Sequence, residues 1–231
     1  MSFIPIIIFG IAITIALVFV VYFWQRSRPV SIFIALWFSA ALILNHIGFS
    51  HGEGVWEEGD LLRMPLFSLA MAAPVGVYFW ARLWVRGFSE VISDVPTPFL
   101  IGSQVYRIAG AIFFVAFLVG LSPAQVALPA AVFDTFIALT ALPLAFLLVL
   151  RPARRLGIAW NVIGLTDFAW AFSATAASLF GLWAMTPAPS GIGASPSALI
   201  ALFQVPLAII IHIELLRRFT VAEQSAQPVE A

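Results

Sequence analysis

Long apolar runs free of charge dominate this chain and leave few solutions for its fold. Stretches of about 20 apolar residues, the length needed to cross a ~30 Å hydrocarbon core, fall at roughly 3–24, 30–49, 64–85, 98–120, 125–150, 157–183 and 197–217. Of the 231 residues, 62% are apolar and 10% charged, against roughly 45–50% and about 25% in soluble domains. A soluble core could not bury that much apolar side chain. Charge confined to short connectors is the pattern of spanning helices. The expected fold is therefore all-α: a polytopic membrane protein of seven transmembrane helices, with the lipid bilayer as its solvent.

Orientation follows from the arginines, because cationic residues of short loops stay on the cytoplasmic side. Arg26 and Arg28 lie in the first connector, Arg82 and Arg86 at the third, Arg151, Arg154 and Arg155 at the fifth, and Arg217 and Arg218 at the C-terminal end. The second, fourth and sixth connectors hold none, so the N-terminus is expected outside and the C-terminus inside. Tryptophans agree, with Trp24, Trp80, Trp84 and Trp160 near the predicted inner boundary and Trp56 and Trp183 near the outer one, as in an interfacial aromatic belt. The N-terminus turns apolar at once and carries its arginines after the apolar run, unlike a cleaved signal peptide, so the first helix should be retained. One domain is expected over 1–218, followed by a polar, disordered cytoplasmic tail over 219–231.

Two arginines depart from the connector pattern. Arg63 sits at the outer start of the third span and can snorkel to the interface. Arg107 cannot: at about 1.5 Å per residue it lies ~14 Å into the fourth span, near the bilayer centre. Asp134 in the fifth span and Asp167 in the sixth lie at similar depth. A charge there costs at least ~2.5–3.5 kcal/mol on insertion scales, so the three should face protein or water and pair. Short connectors make their helices neighbours. At about 100° per residue, Asp134 shares its face with Ala127, Ala130, Ala131, Ile137, Ala138, Ala141 and Ala145, opposite Leu128, Val132, Phe136, Leu139 and Pro143. Gly164, Ala171, Ala174, Ser178 and Gly181 flank Asp167. Such stripes of small residues let membrane helices approach closely. Ser103, Gln104, Gly110 and Ala111 share the face of Arg107. The expected candidate site is thus Arg107, Asp134, Asp167, Gln104 and Ser103. One arginine against two carboxylates leaves negative charge without a full counter-charge, which suits a proton-coupled or substrate site; a plain ion bridge that sets helix register is the structural alternative.

The three histidines are His46 and His51 at the outer end of the second span and His212 near the inner end of the seventh. Topology sets His212 apart from the other two, which argues against a three-histidine zinc site and a bis-histidine haem. His46, His51 and Glu53, with Glu57, Glu58 and Asp60 following, carry imidazole and carboxylate groups that could hold a divalent cation, but their spacing matches no specific metal motif and a solvated loop is the better account. Glu214 beside Arg217 (i, i+3) and Arg218 (i, i+4) reads as an interfacial ion pair. Asn45 and Asn161 read as hydrogen-bonding residues between helices.

Absences narrow the function. With no lysine, no retinal Schiff base can form. With no cysteine, thiolate metal sites, iron–sulfur ligation and disulfides are excluded. Net charge is zero with no long basic tract, so nothing points to nucleic acid. The Pro-Gln dipeptides of seven-span sugar transporters are missing from the helices, as are phosphate loops, GxSxG, HExxH and two-His-one-carboxylate signals. No catalytic residue and no cofactor is expected.

Gln104-Val105-Tyr106-Arg107 with Gly110, Leu128-Pro129-Ala130 with Asp134, Trp160-Asn161 with Gly164 and Asp167, and the closing Phe203, Pro206, His212 and Leu216 together resemble a group of bacterial multi-spanning membrane proteins with no assigned activity. The resemblance covers roughly the C-terminal half; it implies a bacterial inner membrane and brings no function. The expectation is a small-solute or proton-coupled transporter or permease with a midplane Arg/Asp/Asp site. The alternative is a non-transporting scaffold whose stripes bind a membrane partner or a second copy of the chain.

Overall fold

The computed structural model describes residues 3–46, 63–151, 153–186 and 195–224. Among them only helical elements occur. These are α1 (Phe3–Trp24), α2 (Arg28–His46), α3 (Arg63–Trp84), the short α4 (Phe88–Ser93), α5 (Thr97–Ser103), a 3-10 segment (Gln104–Gly110), α6 (Ala111–Leu118), α7 (Ala124–Leu150), α8 (Arg154–Leu179), one turn α9 (Ser197–Leu199), a π-helical segment (Ile200–Gln204) and α10 (Val205–Gln224). His51 and Glu53, with the acidic residues that follow them, lie outside the described residues, as does the chain beyond Gln224. The last helix itself continues past Arg218 to Gln224, so the first residues of the expected tail are helical.

Among the described residues, five stretches are long and apolar enough to cross a membrane: α1, α2, the continuous run from α5 through α6 (Thr97–Leu118), α7, and the run from α9 to Val221. Helices α3 and α8, of 22 and 26 residues, are as long. The outer surface is apolar, as lipid contact requires: Val132, Leu139, Leu142, Phe146, Val149 and Leu150 of α7 are all exposed. The run from α9 to Val221 is the centre of the bundle. Most of it is buried, whereas the other four bury fewer than half their residues, and α10 packs against α3, α5 and α8.

Helix ends follow local chemistry. Pro123 precedes α7 with extended backbone, because its fixed φ and missing N–H suit a helix start. Gly120 closes α6 at φ 72°; Leu121 N–H donates back to Ala116 and Gly120 N–H to Phe117, a pairing that requires the left-handed conformation glycine adopts without steric cost.

Two irregular segments bear on function. The fourth run is not a uniform α-helix as its hydropathy implied: Gln104–Gly110 tightens to a 3-10 helix, in which three residues per turn align Gln104, Arg107 and Gly110 on one face. The π-helical turn before α10 displaces carbonyls from the regular ladder. Those of Leu202 and Gln204 accept hydrogen bonds from Trp37 Nε1 and Tyr106 Oη, each at 2.9 Å. The rings of Trp37 and Phe38 also pack on Phe203. Trp160 is not an interfacial residue: it is buried, its indole N–H donates to Thr140 Oγ1 at 2.9 Å, and its ring lies against His212.

Candidate functional site

Arg107 lies near the middle of its 22-residue run, Asp134 and Asp167 near the middles of α7 and α8. The structure brings the three together. Arg107 Nε donates to Asp134 Oδ1 at 2.5 Å and Nη2 to Asp167 Oδ2 at 2.6 Å. The planar guanidinium fork permits this: its donors point along separate fixed directions, each able to meet a carboxylate on a different helix. The guanidinium also stands over the Phe168 ring, 4.4 Å from its centroid, where the ring's negative face attracts a cation.

A fourth member was not expected. His212 Nε2 lies 2.9 Å from Arg107 Nη1, and its Nδ1 lies 2.8 Å from Asn161 Oδ1. Helix α10 continues beyond Arg218, so His212 sits well inside it and not at its inner end, and the long arginine side chain spans the remaining gap. Arginine only donates, so Nε2 must accept and the proton of a neutral His212 resides on Nδ1, donating to Asn161. The amide orientation agrees, because Asn161 Nδ2 donates to the Gly157 carbonyl at 2.7 Å. Donation thus runs outward from Arg107, on one side through His212 and Asn161 to the Gly157 carbonyl and on the other directly to the two aspartates. Hydropathy carries no sign of this chain; a histidine and an asparagine within apolar helices were the available signal.

The cluster is closely packed. Arg107, Asp167, Asn161 and His212 are all at most 3% exposed, and Asp134 is 9% exposed. The seven α7 residues expected to share the face of Asp134 are buried with it, while Val132, Phe136 and Leu139 opposite are exposed. Gly110 sits directly against the Asp134 carboxyl, and Gly164 against the His212 ring and Arg107 Nη1; a Cβ at either position would overlap those groups. Small residues here let charged side chains of one helix reach across to another.

The other predicted site residues divide. Ser103 does not join the cluster; its hydroxyl donates to the Leu100 carbonyl at 2.8 Å, the local back-bond that serine favours within helices. Gln104 is fully buried on the Arg107 face, with neither amide atom partnered among the described residues. Asp167 Oδ1 and Gln204 Nε2 are likewise buried without a partner among the described residues. His46 ends α2 and is exposed, and no metal-binding group of His, Cys, Asp and Glu exists among the described residues.

A second charged cluster lies toward the end of α10. Glu214, only 2% exposed, accepts from Tyr78 Oη at 2.8 Å, Arg217 Nη2 at 2.8 Å and Arg218 Nε at 2.9 Å, with Arg82 Nη1 3.1 Å away. Arg218 also donates to the carbonyls of Ile92 and Val95 and to Thr97 Oγ1. The expected pairs with Arg217 and Arg218 are present, and Glu214 is in addition a buried anchor that ties α3 to α10 and, through Arg218, to the segment around Ile92 to Thr97.

A family model described as a domain of unknown function (DUF8737) matches residues 64–220. The chain belongs to this family. The matched region contains both charged clusters and all of α4 to α9, while α1 and α2 precede it. No curated protein and no solved structure matches the chain.

Proposed function

We propose that this DUF8737 protein is a seven-span protein of the bacterial inner membrane, N-terminus outside and C-terminus inside, in which the Arg107–Asp134–Asp167 cluster is the proton-coupled site of a small-solute transporter or permease. The five membrane-length runs, with α3 and α8 of matching length, support the number of spans. The alternation of arginine-bearing connectors supports the orientation.

One observation carries the reading: a single guanidinium pairs with two buried carboxylates, while the fourth member is a histidine held as a hydrogen-bond acceptor. With both aspartates ionised the cluster bears one net negative charge; with one proton added it is neutral. Charge at the centre of a bilayer is costly, and ionisable groups there mark ion and proton pathways. The cluster therefore has two charge states separated by one proton, the elementary requirement of proton coupling.

The test is proton flux in proteoliposomes that hold a trapped pH-sensitive dye and carry a potassium diffusion potential. Wild-type protein should acidify or alkalinise the lumen faster than empty vesicles, and Asp134→Asn and Asp167→Asn, at equal protein yield, should abolish the difference. Flux in both variants equal to wild type would overturn the proposal.

A second reading, a non-transporting scaffold, is favoured by the close packing of Gly110 and Gly164 on the charged groups, which suits a fixed network. It predicts that the aspartate variants lose stability, that wild type shows no flux, and that a partner subunit or second copy of the chain copurifies in fixed ratio.

A further inference from the structure

The hydrogen-bond directions in the cluster leave few atoms at which its proton can reside. Asp167 of α8 is faced by Arg107 from the 3-10 segment, Asp134 from α7 and His212 from α10. Arg107 does not release a proton in proteins. His212 Nε2 uses its lone pair to accept from Arg107, so a proton there would set two donors against each other. Its Nδ1 proton is already held by Asn161 Oδ1, and Asn161 cannot rotate to present its amide N–H instead without turning its oxygen toward the Gly157 carbonyl. Asp134 holds Arg107 through Oδ1, and its Oδ2 lies beside Gly110 on a side chain 13% exposed, where charge costs less than on Asp167, whose side chain is 3% exposed. Asp167 differs. Its Oδ2 holds Arg107, while its Oδ1 is buried with no partner among the described residues. Buried carboxylate oxygens are ordinarily hydrogen-bonded, so this atom is unused by the network that holds everything around it.

We infer that Asp167, at Oδ1, is the atom where the cluster takes and releases its proton, and that Asn161 is the positioning residue that keeps His212 out of that role. The inference rests on the proton-coupled reading and names its proton carrier. In the loading step an O–H bond forms at Oδ1 with a proton from hydronium, leaving water; release is the reverse transfer to water. Oδ2 keeps its bond from Arg107 throughout, so the guanidinium need not move. Once protonated, Oδ1 becomes a donor, and the partner it would recognise is a hydrogen-bond acceptor: a water molecule or the carbonyl or hydroxyl oxygen of a small neutral solute.

The experiment is pH-difference infrared spectroscopy of the full chain in liposomes, with aspartate isotope-labelled at its side-chain carboxyl so that Glu214 does not contribute. The carbonyl stretch of a protonated aspartic acid should appear and disappear with pH in wild type and in Asp134→Glu, which keeps both acids, and be absent from Asp167→Asn. Asp167→Glu, which retains the acid but not its label, should lose the isotope-shifted band and show the unlabelled one instead. Nitrogen NMR of labelled histidine should give a neutral, Nδ1-protonated His212 in wild type, and a mixture of tautomers in Asn161→Leu. A labelled band that survives in Asp167→Glu and vanishes in Asp134→Glu would overturn the assignment, as would a wild type without any titrating band or with His212 as imidazolium. A titrating Asp167 band without proton flux would instead defeat the transport reading and leave the assignment standing.

Discussion

His212 Nε2 accepts a hydrogen bond from Arg107 Nη1 at 2.9 Å, so a histidine of α10 serves as the neutral third support of a guanidinium whose other two supports are anions. Removing that acceptor strands a buried donor, which costs about 1–3 kcal/mol. His212→Leu should lower thermal stability in detergent by that amount, read by fluorescence-detected size exclusion after heating. His212→Gln, whose side-chain carbonyl can accept, should lose less. Equal losses would mean that packing on Trp160 and Phe168, not the hydrogen bond, is what His212 provides.

Arg107 holds three partners on three helices, and its loss leaves two carboxylates buried together. Breaking a buried ion pair from one side costs about 3–5 kcal/mol, so Arg107→Leu should be among the most damaging single changes in the chain. Arg107→Lys should not rescue it, because an ammonium lacks the planar fork. In a background of Asp134→Asn with Asp167→Asn, Arg107→Leu should cost markedly less. A double-mutant cycle with no coupling would contradict the geometry.

Gly110 and Gly164 are positions where any side chain meets the charged groups. Gly110→Ala drives a methyl into the Asp134 carboxyl and Gly164→Ala drives one into His212 and Arg107; overpacking of this kind costs about 1–3 kcal/mol. Gly102 is the control: a Cβ there makes only an ordinary 3.5 Å contact with Leu142, so Gly102→Ala should be neutral or stabilising by up to ~1 kcal/mol. Thermal shift measured on the three variants side by side distinguishes them.

Glu214 is the shared acceptor of Tyr78, Arg217 and Arg218 and pairs with Arg82. Glu214→Gln removes the anion from among three cations and should destabilise by about 3–5 kcal/mol. Tyr78→Phe, which removes one hydrogen bond to a charged group, should cost about 1.5–3 kcal/mol. Urea or thermal denaturation of the purified protein gives both. If Glu214→Gln proved the milder of the two, the arginines would not depend on it.

The proposed orientation can be read directly, because the chain has no cysteine to interfere. Gln25 and Thr186 are both exposed. A membrane-impermeant maleimide added to intact spheroplasts should label Thr186→Cys and leave Gln25→Cys unlabelled until the cells are broken. The opposite pattern would invert the topology.

Much of the helix order was visible in hydropathy because apolar runs of membrane length tolerate few alternatives, and helical periodicity predicted the buried face of α7 residue by residue. The meeting of Arg107, Asp134 and Asp167 followed from similar depth and short connectors. The placing of Ser103 with them did not survive, since a serine hydroxyl within a helix finds its own backbone carbonyl more readily than a distant partner. The polar residues after Arg218 resemble a tail and so place His212 near the end of its helix, yet the chain stays helical to Gln224. Trp160 was read as interfacial from its position, although its indole N–H has an internal partner in Thr140.

Sequence alone determined that this chain is helical, that its apolar surface suits lipid, and that its few interior charges must find one another; each follows from the cost of leaving charge or backbone polar groups in hydrocarbon. Only the tertiary structure decided which atoms meet. The 3-10 turn that aligns Gln104, Arg107 and Gly110, the π-helical turn that frees the carbonyls met by Trp37 and Tyr106, and the Asn161–His212 support of Arg107 depend on how helices distant in sequence rotate and slide against one another. Hydrogen bonds are sensitive to fractions of an ångström, whereas hydropathy registers only which residues lie in the interior.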